Sequence, residues 1–176
     1  MSGILIFRVV LILAFATSAW RLGDWRNWIK YYPTVLFTMV VNLSVSLLTY
    51  HHILWNFNPD LVVKTHTVVE FLNTYIVLSA ATFVYLSHFP QYGKLYQYGY
   101  VILWILLFGV IEYTDGAIGG ISYQHGWSFA SSFALDCAMF VILRIHYLKP
   151  AWAWMITFLL AAIILAVFDF GSAEMK

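Results

Sequence analysis

Apolar positions gather into six long runs, broken by short polar stretches. A spanning α-helix needs about 20 mostly apolar residues to cross a hydrocarbon core about 30 Å thick. Six segments meet this requirement, at roughly 3–20, 33–52, 61–87, 99–119, 127–147 and 151–170. The third is long enough to tilt or protrude, and only a tight "LKPAW" turn separates the last two. Pro33, Pro59, Pro90 and Pro150 fall at predicted loops or helix starts, where a missing N–H costs little. There is no evident internal repeat or low-complexity segment. The pattern predicts an all-α protein, helical throughout: an integral membrane bundle of about six transmembrane helices, with 1–176 as a single transmembrane domain.

Composition agrees. The chain is 62% hydrophobic and 10% charged, too little polar surface for a soluble domain. A formal charge of +1 gives no reason to expect a nucleic-acid partner. The single cysteine, Cys137, lies in an apolar run, which excludes an internal disulfide and any multi-cysteine metal site. The first run ends in "ATSAW", a passable cleavage context. Its only basic residue, Arg8, lies inside the run, so it is read as a retained helix rather than a cleaved signal.

Charge placement predicts sidedness. The 21–32, 88–98 and 145–151 loops carry Arg21, Arg26, Lys30, Lys94 and Lys149, with Arg144 at a helix end. The other side keeps Arg8, Lys64 and Lys176. The positive-inside rule then gives a multi-pass membrane protein with both termini outside the cytoplasm. Trp20, Trp25, Trp28, Tyr31, Tyr32, Trp152 and Trp154 form one interfacial aromatic belt, and Trp55 and Trp127 mark the other.

With the spans in alternating directions, the remaining polar residues fall in the outer half. His66 and Glu70, four apart in "HTVVE", share one helical face. Arg8, Asn42, Glu112, Tyr113 and Asp115 lie on neighbouring spans, Asp136 is near mid-depth, and His125 and Trp127 are in or next to the following loop. A charge inside a span costs about 2.5–3.5 kcal/mol on insertion scales, so these groups should face one another or a wet cavity. Two arrangements follow: His66 and Glu70 face a cavity with Glu112, or they join an internal ion pair with Arg8. The first predicts an enclosed cavity of about 300 Å³ or more. Asp115, before the flexible exit "GAIGG", is either a solvated helix end or part of that pocket. His51 and His52 are read as interfacial, Asp169 as a solvated terminus, and Arg144 and His146 as snorkelling to headgroups.

Carboxylates in different surroundings can hold different protonation states, the requirement for delivering a proton at one atom and removing one at another. An aromatic lining can shelter a carbocation. The leading expectation is binding of, or acid–base chemistry on, an apolar lipid or isoprenoid, of isomerase or cyclase type, without a cofactor. Glu70 and Glu112 would be the acid/base pair, His66 the orienting group and Asp136 a further acid. Arg8, Asn42, Asp115, Tyr113, His125 and Trp127 would contact the ligand. Membrane lipids are the expected partners. One rival is a zinc or iron site built from His66, Glu70, Glu112 and His125, although no HExxH pattern is present. Another is a structural or partner-binding protein whose charges fix helix packing. Proton-coupled transport fits less well, for want of a repeat.

"DWRNWIKYYPT", "SYQHGW" and "RIHYLKPAWAW" together resemble a family of small multi-pass membrane proteins from spore-forming Gram-positive bacteria. That resemblance implies a location, the bacterial cell membrane, rather than an activity. More faintly, His66, Glu70 and Glu112 resemble the His-x-x-x-Glu pair and following Glu of the sterol-isomerase-like EXPERA group. There the resemblance implies proton shuttling on a sterol, with an aromatic residue steadying the cation. Membrane-embedded terpene cyclases, which also use intramembrane carboxylates, offer a comparably loose analogy.

Overall fold

The computed structural model describes residues 2–168; Asp169 and Lys176 lie outside the described residues. Six helices are long and apolar enough to cross a membrane: α1 (Ser2–Leu22), α2 (Trp28–Leu48), α3 (His66–Ser87), α4 (Lys94–Ala117), α5 (Phe129–Leu148) and α6 (Pro150–Val167). The protein is an all-α membrane bundle with almost no sheet. Two short strands, β1 (Trp55–Phe57) and β2 (Ile121–Tyr123), pair antiparallel and correct the expectation of a helix-only chain. They let the α2–α3 and α4–α5 connections satisfy each other's backbone groups.

Local chemistry sets the helix ends. Thr65 caps α3 by accepting from the Val68 N–H, and Ser128 caps α5 by accepting from the Ser131 N–H. Pro150 opens α6, where its missing N–H is harmless. Several expected boundaries move. A 3₁₀ turn at Trp25–Asn27 leads into α2 at Trp28, so Pro33 lies inside that helix rather than at its start. There it forgoes one internal hydrogen bond. α2 ends at Leu48, leaving His51 and His52 in the turn beyond. α4 starts five residues early, at Lys94, after Gly93 turns the chain at φ 78°.

α3 is the central helix. Half of its apolar window is buried, against 6% for α6, which packs chiefly on α5. The fully buried Tyr85 of α3 donates to the carbonyl of Phe140 on α5 (2.9 Å), and Tyr100 of α4 donates to the carbonyl of Tyr85 (3.1 Å). A buried phenol needs such a partner, and these bonds lock three helices at one level. Between α2 and α3 the hydroxyls of Thr38 and Thr82 pair at 3.1 Å.

His146 departs from the expected snorkelling. His146 is buried, with Nδ1 2.9 Å from the Thr34 hydroxyl and its ring stacked on Phe37 at 4.1 Å. The Arg144 guanidinium sits 4.0 Å from the centroid of the Phe89 ring. His146 thus packs on a ring of α2, and Arg144 on the ring that follows α3.

Candidate functional site

The polar residues collect at the strand end of the bundle. Arg8 is buried in α1, but its partner is neither Glu70 nor Glu112. Its Nη1 meets Oδ2 of Asp60 at 2.7 Å, and Nη2 donates to the carbonyls of Asn58 (2.6 Å) and Gly120 (3.3 Å). Asp60 is fully buried in the loop before α3, and its Oδ1 accepts the N–H groups of Val62 and Val63 at 2.7 Å each. Burial by itself would raise this carboxyl. The N–H groups of Val63 and Val62, with the Arg8 guanidinium, outweigh burial and hold it below the ordinary carboxylate range. The pair ties α1 to the α2–α3 and α4–α5 connections.

His66 and Glu70 do meet, as their spacing implies. His66 Nε2 lies 3.1 Å from Glu70 Oε2. The Phe57 N–H donates to His66 Nδ1 at 2.9 Å. A nitrogen that accepts carries no proton, so the proton of the neutral ring sits on Nε2 and points at Glu70. The Ser46 hydroxyl of α2 donates to the same Glu70 oxygen. Thr74 donates to the Glu70 carbonyl (2.7 Å) and accepts from Asn42 Nδ2 (2.7 Å). Immediately after this turn, α3 widens into a π-helical segment, Asn73–Leu78. Such segments interrupt the normal ladder and recur at functional sites. Here the segment contributes Asn73, Val77 and Leu78 to a cavity wall.

That cavity, about 190 Å³, brings together most of the expected site. Arg8, Asn42, Glu70, Glu112, Asp115 and Asp136 all line it, among apolar side chains including Leu11, Val69, Phe108 and Met139. It is smaller than the 300 Å³ expected, because Phe7, Trp55, Phe57 and Phe108 occupy much of the space between the helices. Glu112 accepts from the Tyr123 hydroxyl at 2.6 Å. Burial of Tyr123 and its bond to Glu112 push the phenol well above its usual range, so it stays a donor. Asp115 is buried rather than a solvated helix end. Asp115 Oδ1 and Asp136 Oδ2 have no hydrogen-bond partner. The "GAIGG" exit is ordered against Asp115: a Cβ on Gly120 would lie 1.9 Å from its Oδ1.

Three expected ligand contacts fall outside the cavity lining. Tyr113 is exposed on the far face of α4, edge-on to Phe129. His125, at φ 51°, lies within hydrogen-bond distance of the Ile53 carbonyl (2.9 Å) and stacks on His52 at 3.8 Å. Trp127 is buried behind the wall and donates to Ser132, which does line the cavity, at 2.8 Å. Sequence reasoning missed Asp60, Ser46, Tyr123 and Ser132. Among the described residues no three His, Cys, Asp or Glu side chains converge as a metal site requires. Both nitrogens of His66 are engaged by Phe57 and Glu70, and His125 points to another backbone group. The rival ligand set therefore does not assemble.

Comparison of the chain with protein-family models, characterised proteins and solved structures gave no match.

Proposed function

We propose that this integral membrane protein binds an apolar lipid or isoprenoid-like molecule in the strand-end cavity and acts on it by acid–base chemistry. The observation that carries the reading is the convergence of Glu70, Glu112, Asp115 and Asp136 on one apolar-walled cavity while Arg8 is already paired with Asp60. Carboxyl groups left without a cation in such a place suit proton transfer. Glu70, aimed by His66 and Ser46, and Glu112, aimed by Tyr123, form the acid/base pair. Asp136 is a further acid. In an isomerisation one protonated carboxyl adds its proton to an alkene carbon, and the resulting carbocation loses a proton from an adjacent carbon to a carboxylate. Atoms and charge balance without a co-reactant. An apolar cavity of about 150 Å³ accommodates a benzene-sized group. The present cavity therefore suits the reacting segment of a slender chain, with the remainder of the molecule in the bilayer. The charge asymmetry of the loops supports both termini lying outside the cytoplasm, and the family resemblance supports a bacterial cell membrane.

The test is deuterium transfer. Lipid extracted with the purified protein is returned to it in D₂O, and carbon-bound deuterium is measured by mass spectrometry. Incorporation by wild type, reduced about 100-fold or more in Glu70→Gln, is expected. Equal incorporation by both proteins, or none by wild type, refutes the assignment. The structural alternative is favoured for one feature: Arg8 and Asp60 satisfy each other and tie the connections together.

A further inference from the structure

A second cavity, about 330 Å³, lies at the opposite end of the bundle, between α1, α2 and α3. Small residues form its floor: Ala16 and Ala19 of α1 and Ala80 of α3. Trp20, Trp28 and Tyr75 wall it and are exposed. The mouth is held in shape by Trp25, whose Nε1 donates to the carbonyls of Ala19 (2.9 Å) and Trp20 (3.3 Å) and whose ring meets Phe83 edge-on. Gly23 makes that closure possible, since a Cβ there would lie 2.2 Å from the Phe83 ring.

The rim is basic. The Arg21 guanidinium sits 5.1 Å from the centroid of the Trp20 ring, and Arg26 follows the wall residue Trp25. Lys30, the third residue of α2, lies on the opposite side of that helix from the lining residues Trp28 and Tyr32. Asp24 is the one carboxylate of this segment, and it is taken up by Asn27 Nδ2 (3.0 Å) and the Tyr31 hydroxyl (3.1 Å). A groove apolar along its length, ringed by indoles and ending beside two cations, Arg21 and Arg26, complements a molecule with an apolar tail and an anionic head. Indoles mark the depth of lipid headgroups, and basic clusters there attract anionic lipids. The geometry points to a binding site for an anionic glycerophospholipid, one acyl chain lying on Ala16, Ala19 and Ala80 and the phosphate beside Arg21 and Arg26. This site is separate from the carboxylate cavity and does not depend on its chemistry.

Native mass spectrometry of the full chain tests it, using detergent supplemented with equal phosphatidylglycerol and phosphatidylcholine of matched acyl chains. Wild type should retain phosphatidylglycerol over phosphatidylcholine by about 10-fold. The exposed double variant Arg21→Gln, Arg26→Gln should fall to near parity. Ala16→Phe, which fills the floor from an exposed helix position, should reduce retention of both lipids several-fold. Lys94→Gln with Lys149→Gln removes equal-signed charge from the same end and should leave the preference intact. The proposal is overturned by no preference in wild type, a preference that survives the Arg21/Arg26 variant, an equal loss in the Lys94/Lys149 variant, or undiminished retention in Ala16→Phe.

Discussion

Arg8 and Asp60 show what a single residue decides here. Each is buried, and each is the other's only opposite charge within salt-bridge distance among the described residues. Breaking a buried pair by removing one partner costs about 3–5 kcal/mol, because the other charge is left uncompensated. Arg8→Gln and Asp60→Asn should each lower stability by that order, and the double variant by less than their sum. Reversible unfolding in mixed micelles measures this; strict additivity would mean the two do not interact. The pH dependence has a definite sign. Asp60 is held below its unfolded value, so its contribution is complete above roughly pH 4 and is lost as pH falls through the folded value. The advantage of wild type over Asp60→Asn should be flat from about pH 7 to 5 and shrink in stronger acid. His66 and Glu70 are legible in the sequence because an i, i+4 pair is a local property of a helix. Asp60 is not: it stands 52 residues from Arg8, in a turn-like "NPD" that reads as an ordinary loop.

Among the elements, the connections at the strand end depart furthest from expectation. "GAIGG" reads as a flexible exit, yet Gly120 receives Arg8 on its carbonyl, donates to the Asp115 carbonyl at 2.7 Å and leaves room for the Asp115 side chain. Gly120→Ala should therefore destabilise by about 1–3 kcal/mol through overpacking. Adding Asp115→Ala should recover part of that loss, since the clashing carboxylate is gone. Thermal unfolding of the two singles and the double checks it, and no recovery would place the strain elsewhere. The helices themselves were legible, because a run of apolar residues about 20 long has few alternatives in a bilayer. Their ends were less so: the start of α3 is set by the Thr65 cap and the β1–β2 ladder, not by hydropathy. The π-helical segment has no sequence signal of its own; it reflects how α3 fits against α1 and α2.

For the whole molecule, the two ends differ in chemistry: a carboxylate-lined cavity beneath the strands, and a basic aromatic groove opposite. The proposed sidedness predicts which end meets the outside. On a Cys137→Ala background, a cysteine at exposed Val62 should react with a membrane-impermeant maleimide on intact cells. One at exposed Tyr92 should react only after permeabilisation. The reverse pattern would invert the topology. Hydropathy alone dictates six spans and sets the depth of each polar residue within them, because desolvating a backbone or a charge in hydrocarbon is costly wherever the helix sits. Partner choice is not a depth property. Rotation of each helix and the path of two loops bring Asp60 to Arg8, leave Glu70, Glu112, Asp115 and Asp136 around one cavity, and turn Tyr113 and His125 away from it. Those contacts join residues far apart in the chain, so packing had to decide them.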